Sequence, residues 1–183
     1  MDMISVRNAA KAKSMAYVES EGPPAFSGLK YFRSLKERSH DRPSMFELFD
    51  INIESAEPGT IVLTARPTAE HHNPYGFVHG GYAAVLLDSC MTGAIATSLD
   101  PGLSALTLEY KINFARPMSV STGVVRGEGK TLHVGRQMAI GEGRLLDATA
   151  GCWLTGRLPA TSCGTEASDR SPRGANVSRL RSS

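Results

Sequence analysis

Residues 73–92 read NPYGFVHGGYAAVLLDSCMT. The stretch divides into a polar turn, a pair of glycines and an apolar helix with one acid inside it. Pro74 and Gly76 break whatever precedes them. Gly80 and Gly81 let the backbone approach a neighbour closely. From Tyr82 to Ser98 the residues suit a mostly buried helix, and Asp88 is the only charge in it. Two groups here can do chemistry. One is the row of free backbone N–H groups where the helix begins, which favours negative charge. The other is the Asp88 carboxylate, two turns further on.

Downstream the pattern turns to β. Residues 103–114 alternate through Leu106, Leu108, Tyr110, Ile112 and Phe114. Further strands are expected over 119–129, 132–142 and 145–154, with turns at Arg116-Pro117, Glu128-Gly129-Lys130 and Glu142-Gly143. Long strands with short links predict an antiparallel meander. Upstream, residues 50–66 read as a hairpin turning at Glu57-Pro58-Gly59. Ser27 is placed to cap a short helix running to about Arg38, with Phe26, Leu29, Phe32 and Leu35 on one face. A second short helix is expected from Met45 to about Phe49. The expected divisions are a flexible segment at 1–25, a helical segment at 26–49, one domain at 50–158 and a disordered Ser/Arg-rich tail at 159–183.

The whole chain sets bounds on this. At 183 residues it accommodates one domain with a proper core. A formal net charge of +2 gives no case for nucleic acid or membrane partners. Three cysteines without a CxxC pair suit a reducing compartment, with Cys90 and Cys152 read as packed thiols. No signal-like or membrane-length apolar run occurs, so a cytoplasmic location is expected. His71-His72 has no acid or cysteine cluster around it and reads as a solvated loop, so no metal is expected. A single helix leaves part of a curled sheet uncovered, and the element count alone predicts a homodimer.

Asn73, the triplet His79-Gly80-Gly81 and Asp88, nine positions after the histidine, carry a resemblance. So do the strand LEYKINFARP at 108–117 and HVGR at 133–136. Together they resemble the hotdog-fold acyl-CoA thioesterases of the PaaI type and the related 4-hydroxybenzoyl-CoA thioesterases, over roughly 50–156. The resemblance implies an α+β hotdog fold, a curved antiparallel sheet wrapped around one central helix. It implies hydrolysis of an acyl- or aryl-CoA thioester to free acid and CoA, with no cofactor beyond the CoA of the substrate. Asp88 matches the acid that serves as general base or nucleophile. Gly80 matches the glycine whose N–H polarises the thioester oxygen. Asn73 matches a residue that holds water, and His79 the histidine near the sulfur. Thr92 and Thr107 match secondary polar groups. Arg116, Arg136, Lys111 and His133 are candidates to hold CoA phosphates. The alternative reading is a non-catalytic acyl-CoA-binding module.

One helix cannot complete this site alone. Gly80 and Asp88 are separated by roughly 12 Å along the helix axis. Both must come within about 3 Å of the reacting atoms. Two antiparallel copies satisfy this, so composite sites at a dimer interface are expected. Pairing of such dimers into a dimer of dimers is expected as well.

Overall fold

The computed structural model describes residues 27–37, 44–148 and 151–164, without the side chains of Ser44, Trp153 and 162–164. The expected flexible segment at 1–25 and most of the tail lie outside the described residues. Helices α1 (Gly28–Glu37) and α2 (Ser44–Leu48) lead into strands β1 (Asn52–Glu57) and β2 (Thr60–Ala65). After a 3-10 turn at Ala69–His71 comes helix α3 (Gly80–Ala96). Strands β3 (Leu103–Thr107), β4 (Lys111–Phe114), β5 (Val125–Val134), β6 (Met138–Leu146) and β7 (Cys152–Gly164) follow. All pairings are antiparallel, in the order β1-β2-β5-β6-β7-β3, with β4 also on β7. The sheet curls around α3, which is the expected α+β hotdog arrangement. No helix among the described residues is long and apolar enough to cross a membrane.

Helix α3 is apolar nearly all round, as a helix enclosed by a sheet must be. Leu86, Leu87, Met91 and Ile95 are fully buried, each contributing on the order of 1.5–3 kcal/mol. At its C-terminus the Thr97 hydroxyl donates to Ala94 O at 2.6 Å and accepts from Gly59 N–H at 2.9 Å. That pair of bonds ties the helix end to the β1–β2 turn.

Several sequence expectations fail in an instructive way. Residues 128–130 and 142–143, expected as turns, lie in the middle of β5 and β6. Their glycines are where the sheet meets the helix. Gly129, Gly143 and Gly156 face one another in register across β5, β6 and β7. A Cβ on Gly129 would lie 2.0 Å from Cys90 O, and one on Gly156 2.7 Å from Leu87 Cδ2. Glycine here serves close approach of backbones, one of its two meanings inside a strand. Glu128 and Glu142 are therefore strand residues on the outer face, paired with Arg144 at 2.7 Å and Arg157 at 3.8 Å, and not turn residues.

The meander holds only for β5, β6 and β7. The segment expected as one strand at 103–114 is broken at 108–110, and both pieces cross over to pair with β7. β7 in turn runs to Gly164, past the expected domain boundary at 158, because residues 160–164 pair with β3. Cys152 is exposed where a packed thiol was expected.

The two sheet edges differ. Along β1, Arg33 of α1 donates to Ala56 O at 3.1 Å and Lys36 to Glu54 O at 2.6 Å. These side chains occupy edge carbonyls that another strand would need. The far edge, β3, pairs only with β7. Leu106 on it is 55% exposed.

Candidate active site

The loop before α3 is shaped by its own side chains. The Asn73 side-chain oxygen accepts from Tyr75 N–H at 2.9 Å and Phe77 N–H at 3.2 Å. Gly76 takes φ +82° in this turn, a conformation glycine adopts without strain. The carbonyl of His71 accepts from His79 N–H at 2.8 Å, which sets the chain's entry into the helix.

His79 is the N-cap of α3, and its Nδ1 accepts from Gly81 N–H at 2.9 Å. This is how an N-cap side chain satisfies one of the orphan donors of a first turn. The neighbouring Gly80 N–H has no acceptor among the described residues and sits in an exposed position. Phe114, 57% exposed, borders it: a Cβ on Gly80 would lie 3.4 Å from the ring. His79→Ala is expected to cost about 1 kcal/mol of stability through the lost cap. His79→Asn is expected to keep most of it. Thermal melts of both variants check this.

Asp88 lies half-buried on the side of α3 facing β3. The Thr107 hydroxyl donates to its Oδ1 at 2.8 Å. Thr92 Oγ1 donates to the Asp88 carbonyl at 2.7 Å and lies 3.4 Å from Oδ1 and 3.3 Å from Thr107 Oγ1. No donor among the described residues reaches Oδ2. One oxygen is thus tethered to the open edge strand and the other is left for something else. Cys90, two residues on, is fully buried, and burial pushes its thiol up well out of the range where a thiolate forms.

The structure therefore gathers the candidates into two groups on one chain. Asp88 and Thr92 of α3 and Thr107 of β3 form one cluster. Asn73, His79 and Gly80 stand together at the N-terminus of α3. The four basic candidates do not converge. Arg116 is engaged by Asp147 at 2.8 Å. Lys111 lines a depression on the outer face of the sheet, the face turned away from α3. His133 lies at the end of β5, and Arg136 in the turn that follows.

Sequence reading missed His71. Its Nδ1 accepts from Thr68 N–H at 2.9 Å, and its Nε2 lies 3.3 Å from Leu48 O. Its ring sits 4.5 Å from that of Tyr82, whose hydroxyl donates to Phe49 O at 3.0 Å. His71 is a bracket between α2 and the loop that leads into α3 rather than a solvated loop residue. The signal was present as Thr68 three positions before His71, the spacing of a capping box with histidine in place of glutamate.

Known proteins share part of this sequence and its fold. The model of the Thioesterase superfamily matches residues 75–156. The 1,4-dihydroxy-2-naphthoyl-CoA hydrolase of Listeria monocytogenes is 30% identical over 103 residues, covering 56% of this chain and 82% of that protein. Acyl-coenzyme A thioesterase 13 of Homo sapiens is 31% identical over 87 residues, covering 45% of this chain and 61% of that protein. The solved structure of the E. coli PaaI protein, from the phenylacetic acid degradation operon, matches with a TM-score of 0.65 at 21% identity. The match covers 75% of this chain and 97% of that one, and at this identity it speaks for the fold alone.

Proposed function

Given that the chain belongs to the thioesterase superfamily, whose members hydrolyse thioesters, we propose that it cleaves an acyl- or aryl-CoA to free acid and CoA at sites shared by two subunits. The observation that carries this is Asp88: a half-buried carboxylate with Oδ1 held by Thr107 on the open edge strand and Oδ2 without a donor. The names of the relatives favour an enzyme over a non-catalytic acyl-CoA-binding module.

In this reading the Gly80 N–H of one subunit faces the thioester oxygen, which gains negative charge as the carbonyl is attacked. Fixed donors of this kind typically contribute about 3–4 kcal/mol. Asp88 of the other subunit directs a water onto the carbonyl carbon, or attacks it directly; both routes use the same free oxygen. Asn73 steadies the water through its side-chain NH2, and His79 holds the turn near the sulfur. His133, at the end of β5, and Arg136, in the turn after it, are candidates to hold CoA phosphates, alongside Arg116 and Lys111. No cofactor or metal takes part. The open β3 edge beside Thr107 supports association of two copies along that strand. The dimer, its pairing into a dimer of dimers and a cytoplasmic location remain part of this reading, as does a catalytic unit beginning near residue 50.

Shared sites have a direct test. Gly80 is the first residue of α3, where proline is tolerated, and His79 before it already has φ −60° and ψ 135°. Gly80→Pro thus removes the N–H with little cost to the helix. Thiol release from a panel of aryl- and fatty acyl-CoAs is expected from wild type, and neither Gly80→Pro nor Asp88→Ala homodimers should approach its rate. Mixing the two variants in equal amounts and refolding them together should restore about a quarter of wild-type activity, because half the dimers are mixed and each has one intact site. If mixing restores nothing, the sites are not shared.

A further inference from the structure

The row of glycines that seats the sheet on α3 has a consequence on the opposite face. Where Gly129, Gly143 and Gly156 draw the strands toward the helix, the outer surface is dished. It holds a cavity of about 760 Å³ with these glycines in its floor. The volume lies within the range of small-molecule pockets. The walls are two rows of side chains in register across five strands. One runs Thr60, Lys130, Glu142, Arg157, Lys111, and the other Val62, Glu128, Arg144, Thr155, Asn113. Neither Asp88 nor the turn at Gly80 is among the residues lining it.

The charges there do not balance. Four cations, Lys111, Lys130, Arg144 and Arg157, face two carboxylates, Glu128 and Glu142. Arg144 is paired with Glu128 at 2.7 Å, but Arg157 only reaches within 3.8 Å of Glu142. Lys111 and Lys130 have no ion-pair or hydrogen-bond partner among the described residues. Lys111 and Arg157 are also directly opposite one another on β4 and β7. Like charges at such a position oppose strand pairing unless an anion lies between them. Thr155 and Asn113 add neutral donors beside them.

We infer that this depression binds a small phosphate-bearing anion, held between Arg157, Lys111 and Lys130. Guanidinium and ammonium groups in a concave wall are suited to phosphate oxygens. An excess of two positive charges suits a compact ligand such as a diphosphate, and it disfavours a second copy of the same surface. Two sources share this chemistry: free di- or triphosphates, and the diphosphate and 3′-phosphate of CoA itself.

The site is distinguishable from the thioesterase centre because it is read by binding. The full-length protein is titrated with inorganic pyrophosphate and, separately, with CoA-SH, at about 0.15 M salt so that general surface attraction is screened. Calorimetry and the thermal midpoint are followed for wild type, Lys130→Gln and the double variant Lys130→Gln/Arg157→Gln. A wild-type response to either ligand that weakens at least tenfold in the double variant is expected, with an intermediate loss in Lys130→Gln; kcat/KM for thioesters stays unchanged where the ligand is a free phosphate and falls with the binding where it is the CoA of the substrate. A response to pyrophosphate that the double variant loses identifies free phosphates as sufficient; a loss seen with CoA-SH alone identifies the CoA of the reaction. Equal responses in wild type and Lys130→Gln, or no wild-type response to either ligand, would overturn the inference. Lys130 is exposed, so the single variant serves if the double variant fails to fold.

Discussion

Asp88→Asn is expected to lower kcat about a thousandfold without unfolding the protein. The two side chains have the same shape, and the amide oxygen still accepts from Thr107 Oγ1. What is lost is the negative charge on the oxygen without a donor, and with it both the base and the nucleophile. A thousandfold corresponds to about 4 kcal/mol of barrier. Thr107→Val gives the contrast. It removes a hydroxyl that bonds a charged group, a contact worth about 1.5–3 kcal/mol. Part of that is recovered by Thr92 at 3.4 Å, so the expected loss in kcat is nearer tenfold, with Thr107→Ser restoring the rate. Steady-state thiol release and thermal melts on all three variants decide the matter. If Asp88→Asn keeps more than a tenth of the wild-type rate, the carboxylate does not act on the thioester.

Gly129→Ala is expected to be the most damaging single-methyl change in the sheet, costing more than about 3 kcal/mol and failing to accumulate as folded protein. The added Cβ meets backbone, Cys90 O at 2.0 Å and Cys90 C at 2.5 Å, so neither partner can rotate away. Gly141→Ala should be far milder, since its nearest neighbours are Met91 O at 3.1 Å and Ile95 Cδ1 at 3.3 Å. Gly143→Ala falls between them: its neighbours at 2.9 Å, Leu87 Cδ1 and Met91 Cγ, belong to side chains, which can shift where backbone cannot. Denaturant melts should rank the three as Gly141, Gly143, Gly129 in order of increasing loss. A Gly129→Ala protein as stable as wild type would mean that the helix does not rest on that strand.

The same glycines show where reading along the chain stops. Gly129 and Gly143 were expected to mark turns, because a glycine beside a charge is usually a local break. They are breaks in nothing; they permit a helix more than thirty residues earlier in the chain to touch the strand. His71 taught a similar lesson. Its neighbours in sequence gave a solvated loop, whereas its partners are Leu48, Phe49 and Tyr82 from elements on either side.

What the chain order alone determined is local: an apolar helix opened by His79-Gly80-Gly81, the acid two turns inside it, the hairpin before it and the abundance of β after it. Periodicity, capping and side-chain chemistry act over a few residues, so they are legible in one dimension. Strand order, the crossover that sends β3 and β4 to β7, the glycine seat beneath α3 and the tether from Thr107 to Asp88 were decided only by the tertiary structure. Each depends on which surfaces meet across long stretches of chain, and packing density and backbone hydrogen bonding choose those partners only when the whole sheet closes around its helix.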